Sequence, residues 1–213
     1  MPVITIRGLT GSGASDIGRQ VARLIKGDYV DRQVIAEVAE LLKRPPEQVE
    51  AKERIPPDLF NRIMKPLRRV LAGSGKIDSA YMRTWEEPLD DAEYLDALES
   101  VIRDLATDEN IVMVGRGSQF ILRNNRAVLH VLVIAPLEDR LNKVMTDLRV
   151  EREEAVRHID ENDSGRRSFV QRFFQAEMED PQHYDLVINT KYIDYDAAAR
   201  LIVAAAAEKD PWR

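Results

Sequence analysis

A glycine-rich loop near the N-terminus constrains this chain most, because it joins an apolar run to an amphipathic segment. The run Val-Ile-Thr-Ile-Arg begins at Val3 and is typical of a strand, and the loop follows at residues 8–15. Beyond the loop, apolar residues recur at the spacing of one helix face: Ile17, Val21, Leu24 and Ile25. A strand, a glycine turn and a helix in this order favour phosphate binding. Backbone N–H groups and the positive end of the helix dipole then face the anion.

The loop matches most of the P-loop pattern G-x-x-x-x-G-K-[ST]. Gly8, Gly13 and Ser15 fit the pattern, whereas Ala14 stands where the lysine is expected. The pattern predicts a nucleotide-binding loop made of Gly8, Gly11, Ser12, Gly13, Ala14 and Ser15. A glycine turn that only closes a βα unit remains the alternative interpretation, since the lysine is missing.

A second glycine-rich sequence, Gly73-Ser74-Gly75-Lys76, retains a lysine and therefore looks more like a P-loop at first sight. It follows a helical pattern and not a strand, however, and Ile77 stands where the P-loop pattern requires Ser or Thr. We interpret this sequence as a surface loop.

Composition narrows the class of protein. A chain of 213 residues can bury one sizeable core with room for an insertion or lid, and its net charge of −6 argues against general nucleic-acid binding. There are no cysteines for disulfides or thiolate metal sites, no signal-peptide pattern, and no apolar run near the roughly 20 residues that cross a bilayer. We therefore expect a cytoplasmic enzyme or binding protein with neither nucleic acid nor membrane as a partner.

Strand patterns alternate with helical patterns along most of the chain. After the first strand, further strands are predicted at residues 28–31, 111–114, 128–134 and 186–188. Strands that are almost continuously apolar are typical of a parallel sheet with helices on both faces. The alternation therefore predicts a doubly wound α/β domain.

Two segments depart from the alternation. Residues 43–90 contain two Pro-Pro pairs and amphipathic patterns, which indicate a helical insertion. Residues 149–176 are rich in both arginine and acidic residues, a pattern usual for a solvated helix face. Within them Gly165 is predicted to interrupt the helix beside Arg166. A mobile segment that carries an arginine suits phosphoryl transfer, which depends on positioning and charge neutralisation.

Candidate binding residues are sought directly after the predicted strands, because doubly wound sheets bind their ligands beyond the carboxyl ends of the strands. Arg116 lies between Gly115 and Gly117, and these small neighbours leave its guanidinium room to meet a phosphate. Asp31 follows the second strand. The alternatives are an arginine in a surface turn and an aspartate that only caps the next helix.

Three blocks of sequence, taken in order, resemble the cytidylate kinase-like family of P-loop nucleoside monophosphate kinases. The blocks are Gly11-Ser12-Gly13 with Asp16-Ile17, residues 112–117, and residues 137–190 with Asp163-x-x-Arg166 and Arg172-Phe173-Phe174. The resemblance spans nearly the whole chain and implies a single domain with a five-stranded parallel sheet. Its parts would be a core (1–42, 91–148 and 177–213), a helical nucleoside monophosphate-binding insertion (43–90) and a lid (149–176).

The resemblance also implies an activity, namely ATP- and Mg²⁺-dependent phosphorylation of a nucleoside monophosphate, CMP or dCMP first. Four arginines would clamp the acceptor and transferring phosphates: Arg166, Arg116, Arg140 and Arg172. Asp163 would meet the acceptor nucleoside and Asp31 would lie near it. Ser15 would ligate Mg²⁺.

The loop departs from the family pattern, because Ala14-Ser15-Asp16 has neither a lysine nor the Gly-Arg-Glu of many relatives. Two alternatives therefore stay open. One is a non-catalytic nucleotide-binding or regulatory protein on the same fold, and the other is a kinase for a different small phosphorylated or hydroxyl substrate. The oligomeric state is also open, with a homodimer as one alternative.

Overall fold

A computed structural model describes residues 2–31, 33–54, 89–108 and 110–209, with the backbone alone at 51–54. Its strands are β1 (Val3–Gly8), β2 (Asp28–Val30), β3 (Ile111–Val114), β4 (Val128–Ile134) and β5 (Leu186–Asn189). They form one sheet in the order β2-β3-β1-β4-β5, and every pair is parallel. The predicted five-stranded parallel α/β fold is confirmed.

One or more α-helices of the described residues lie between consecutive strands, and another follows the last strand. They are α1 (Ala14–Ile25), α2 (Gln33–Leu41), α3 (Pro46–Arg54), α4 (Asp91–Leu105), α5 (Ser118–Ile121), α6 (Leu137–Leu148), α7 (Arg152–Phe174) and α8 (Tyr195–Glu208). Pro46 begins α3, where its fixed φ suits the first turn and no N–H is needed. In this part of the chain no helix combines the length and apolar character needed to cross a bilayer.

Much of the predicted insertion lies outside the described residues. The helical patterns between 55 and 88 and the glycine-lysine sequence at 73–76 fall in this range.

Helices cover both faces of the sheet. Successive side chains of β1 point to opposite faces, and apolar residues on each face are buried under helices. Ile4 and Ile6 pack in a buried cluster with α1 and α8. Val3 packs on the other side, in a cluster that contains residues of α2, α4, α5 and α7. The glycine loop thus leaves β1 in the middle of the sheet, with α1 on one face and α7 on the other.

Helix α7 differs from the sequence-based expectation, because Gly165 does not interrupt it. The helix runs unbroken from Arg152 to Phe174, and Gly165 is buried within it. A glycine inside a helix costs about 1 kcal/mol relative to alanine. Burial of Ile159, Phe169 and Val170 on the same helix outweighs that cost.

Two neighbouring residues of α8 test this packing. Ile202 is fully buried, whereas Leu201 is 48% exposed. Ile202→Ala should lower the free energy of unfolding by about 2–5 kcal/mol, because it leaves a cavity against α1 and the sheet. Leu201→Ala should change it by about 0.5 kcal/mol or less. Urea unfolding followed by circular dichroism measures both, and equal losses in the two variants would contradict this arrangement.

Candidate functional site

A cavity of about 800 Å³ opens beyond the carboxyl ends of the strands. The segments that follow β1, β2 and β3 form part of its wall, and α6 and α7 form the rest. Several predicted site residues lie on this wall: Gly8, Gly11, Gly13, Ala14, Ser15, Asp31, Arg116 and Arg166. The fold thus brings together residues from distant parts of the sequence, as the parallel topology requires.

The loop after β1 and the first turn of α1 line the cavity. Gly11 and Gly13 have φ angles of 82° and 86°, which glycine adopts without strain. Gly13 is the N-cap of α1, and no side chain caps the free N–H groups of this helix end. Ala14 and Ser15, the first residues of α1, line the cavity. The loop and the helix dipole together can therefore bind an anion.

Residues at the end of β5 and the start of α8 contact the glycine loop. Ser12 is buried, and its carbonyl accepts a hydrogen bond from Thr190 Oγ1 at 3.0 Å. Tyr195 packs directly on Gly13, where a Cβ atom would come within 2.3 Å of the tyrosine ring. A larger residue at Gly13 would therefore push the Tyr195 ring aside, and it would also strain the loop because φ is 86° there.

Asp163 and Arg140 form a buried ion pair beside the loop. Arg140 Nη1 lies 2.6 Å from Asp163 Oδ2, and the two side chains are only 10% and 3% exposed. The Thr10 N–H donates to Asp163 Oδ1 at 2.9 Å, while Arg140 Nη1 donates to the Thr10 carbonyl at 3.2 Å. In this structure both side chains contact the loop backbone, so they fix the loop to α6 and α7.

Arg166 reaches across the loop from α7. Its Nη1 donates to the Gly8 carbonyl at 3.4 Å and to Thr10 Oγ1 at 3.3 Å. Both distances are at the long end for hydrogen bonds, so these contacts are weak. A charge-assisted bond to a phosphate would be stronger than either of these contacts.

Arg116 is held in a left-handed turn after β3. The φ angles of Gly115, Arg116 and Gly117 are 79°, 58° and 69°. This conformation costs a non-glycine residue on the order of 1 kcal/mol, and backbone strain of this kind clusters at functional sites. A Cβ at Gly117 would lie 2.4 Å from the Phe174 ring, so α7 packs against the turn. Arg116 Nη2 lies 3.9 Å from Asp31 Oδ1 at the cavity wall.

Arg172, the remaining predicted arginine, is not on the cavity wall. It pairs with Asp91 at the start of α4 and packs on the ring of Phe173, with Cζ 5.0 Å from the ring centroid. In this structure Arg172 joins α7 to α4.

Three further cations on the cavity wall, Arg7, Arg19 and Lys143, are not predicted from the sequence. Lys143 Nζ lies 2.9 Å from Asp16 Oδ2 and 2.8 Å from Asp147 Oδ2. Partial burial by itself would lower the pKa of Lys143, but the hydrogen bonds to Asp147 and Asp16 outweigh it and raise that pKa above its ordinary value. A charged residue within the apolar run of β1 is the sequence signal that could have identified Arg7.

The role of Asp163 in holding the loop can be tested by its removal. Asp163→Ala would leave the Arg140 charge buried without its partner, and we expect the free energy of unfolding to fall by about 3–5 kcal/mol. Asp160→Ala, at an exposed position of the same helix, should change it by about 0.5 kcal/mol or less. Denaturant titration measures both variants. A loss for Asp163→Ala as small as that of the control would show that the pair does not hold the loop.

Comparison with known proteins agrees with the geometry. A solved structure of an uncharacterized protein from Eubacterium ventriosum ATCC 27560 superposes with a TM-score of 0.68 and 17% identity, over 97% of this chain and 99% of that chain. At this identity the likeness shows the fold. Shikimate kinase from Acinetobacter baumannii aligns over 99% of this chain and 95% of its own, with a TM-score of 0.48 and 16% identity, too distant a likeness to inform function.

A curated relative is uronate isomerase from Corynebacterium glutamicum, 30% identical over 106 residues. The aligned part is 50% of this chain and 20% of the isomerase, so this chain spans only about a fifth of that protein's length. The sequence also matches the cytidylate kinase-like family over residues 3–192. This match covers most of the chain, and the glycine loop, the sheet and the arginines all lie within it. The chain therefore belongs to the cytidylate kinase-like family.

Proposed function

We propose that this protein is a kinase that transfers a phosphoryl group from ATP to a nucleoside monophosphate, with CMP or dCMP as the first candidates. One observation carries the proposal: a single cavity combines the glycine loop at the start of α1 with arginines from two other elements, Arg116 and Arg166. Phosphoryl transfer depends on positioning and on neutralising the charge of the transferring group. Membership of the cytidylate kinase-like family supports the same activity.

The glycine loop at residues 8–15 would bind the donor phosphates through backbone N–H groups and the α1 dipole. Ala14 contributes no charge at the place where most P-loops have a lysine. The charge on the donor phosphates must then be neutralised by the metal ion and by arginines. Arg140 and Asp163 would act indirectly, by holding the backbone of this loop.

The oxygen donor at the start of α1 fits Mg²⁺. This ion takes oxygen ligands, keeps several waters and is held mainly by substrate phosphates with one or two protein groups. The Ser15 hydroxyl lies on the cavity wall and would hold the ion, whose charge would neutralise the donor phosphates. Such a site needs no larger set of protein ligands, and the described residues contain no group of three or more acidic or histidine side chains that could form one.

Arg116 and Arg166 would bind the acceptor phosphate, with Asp31 close to the acceptor nucleoside. The attacking oxygen belongs to a phosphate that is already anionic, so no general base is required. Residues 43–90 and 149–176 would serve as the nucleoside monophosphate-binding insertion and the lid, which exclude water from the reaction.

A non-catalytic nucleotide-binding protein is the second candidate, and Ala14 is the observation that favours it. A coupled assay with ATP, Mg²⁺ and a panel of nucleoside monophosphates separates the two. We expect turnover with CMP or dCMP and an increase in Ala14→Lys, because the lysine adds positive charge at the donor phosphates. Nucleotide binding without turnover, in both forms of the protein, would favour the second candidate.

Arg166 should be essential for turnover if arginines compensate for Ala14. Arg166→Ala should lower the rate by about 10³-fold or more, the effect of an arginine that serves a transferring phosphoryl group. Arg167→Ala is the matched control, since Arg167 is 52% exposed and pairs with Glu179 instead. Its turnover should stay near that of the unsubstituted protein. The coupled assay measures both, and comparable turnover in the two variants would refute compensation by Arg166.

A further inference from the structure

Arg7 places a buried positive charge at the floor of the cavity. It is the β1 residue immediately before Gly8, it is only 7% exposed, and it lines the cavity. Ile4 and Ile6 face α1, so the alternation of β1 directs Arg7 to the opposite face of the sheet. That is the face on which α7 lies.

The hydrogen bonds of Arg7 leave its charge uncompensated. Its Nε donates to Met178 Sδ at 3.1 Å, and its Nη2 donates to the same sulfur. A thioether is a weak and uncharged acceptor. Across the described ranges, no carboxylate forms an ion pair with Arg7. The Tyr184 hydroxyl donates to the Met178 carbonyl at 2.5 Å, and this bond fixes the backbone of the residue that holds Arg7.

An unpaired guanidinium in this position is costly to the fold. Burial removes its hydration, and the nearby positive charge of Arg166 repels it. Together these effects lower the pKa of Arg7 well below its ordinary value. An apolar side chain of similar volume would fill the same space without that cost. A cost of this kind is offset when an anion binds.

The geometry restricts where such an anion can bind. Because Nε and Nη2 face Met178, the remaining nitrogen Nη1 is the one available to a ligand. It lies toward Gly115, where a Cβ atom would be 3.6 Å from Nη1. The next residue is Arg116, which also lines the cavity, as does Arg166. Guanidinium groups from β1, from the turn after β3 and from α7 therefore border one space.

We propose that Arg7 binds the phosphate of the acceptor together with Arg116 and Arg166, and so selects a phosphomonoester over the corresponding uncharged nucleoside. The identity of the acceptor in this inference rests on the proposed function. A phosphomonoester has three oxygens that can each accept from a guanidinium, which suits arginines arriving from three elements.

The test compares Arg7→Met with the unsubstituted protein by titration calorimetry, using CMP, inorganic phosphate and cytidine as ligands. Loss of one charged contact should weaken CMP and phosphate binding tenfold or more while leaving cytidine affinity unchanged. Without ligand, Arg7→Met should also melt roughly 2–4 °C higher, because the uncompensated charge is gone. Arg103→Met is the control, since Arg103 is exposed and pairs with Glu99. It should alter neither quantity.

Three results would overturn the proposal: CMP affinity unchanged in Arg7→Met, an equal loss of cytidine affinity, or no binding of CMP and phosphate to the unsubstituted protein. If Arg7→Met does not fold, the guanidinium signals of Arg7 can be followed by ¹⁵N NMR in the unsubstituted protein, assigned by their loss in Arg7→Lys. Phosphate should shift these signals, and unshifted signals would refute the proposal. Binding is measured without turnover, so an inactive protein that still selects CMP through Arg7 would refute only the kinase proposal.

Discussion

The ion pair between Asp163 and Arg140 is the contact on which the geometry of the site depends. It is almost completely buried, and both partners also bond to the backbone of Thr10. The glycine loop leaves β1, whereas the two charged residues belong to α7 and α6. The pair therefore sets the distance between the loop and α7, and with it the position of Arg166 over the loop. Removing either partner would leave a buried charge that the fold cannot easily hydrate.

In the proposed reaction, arginines around the cavity would supply the charge that a lysine supplies in most P-loop proteins. Ala14 contributes none, while Arg7, Arg116 and Arg166 border the same space from three different elements. Arg7 and Arg166 lie next to the glycine loop, and Arg116 lies in the turn after β3. Arg19 and Lys143, on the same wall, both pair with Asp16. In the proposed reaction this charge would favour binding of an anionic acceptor, while the metal ion and the arginines together would neutralise the donor phosphates.

The sheet could be predicted from the sequence because its strands are short, almost continuously apolar runs that alternate with helical patterns. The cavity wall followed from the same topology, since parallel strands bring their carboxyl ends to one edge. The continuity of α7 through Gly165 could not be predicted, because packing of Phe169 and Val170 outweighs local propensity. Nor could the contact between Asp163 and Thr10, which joins residues 153 positions apart. Arg7 is visible in the sequence as a charged residue within an apolar strand, but only the structure shows that it is buried and lines the cavity.

The central claim is that one cavity holds the donor and acceptor phosphates at the same time. A bisubstrate analogue in which adenosine and cytidine are joined by five phosphates tests this directly, by titration calorimetry in the presence of Mg²⁺. If both halves bind together, the linkage should make the Kd at least about 100-fold lower than that of ATP or of CMP alone. An affinity no greater than that of ATP would contradict the claim, because it would show that the cytidine half finds no place beside the donor.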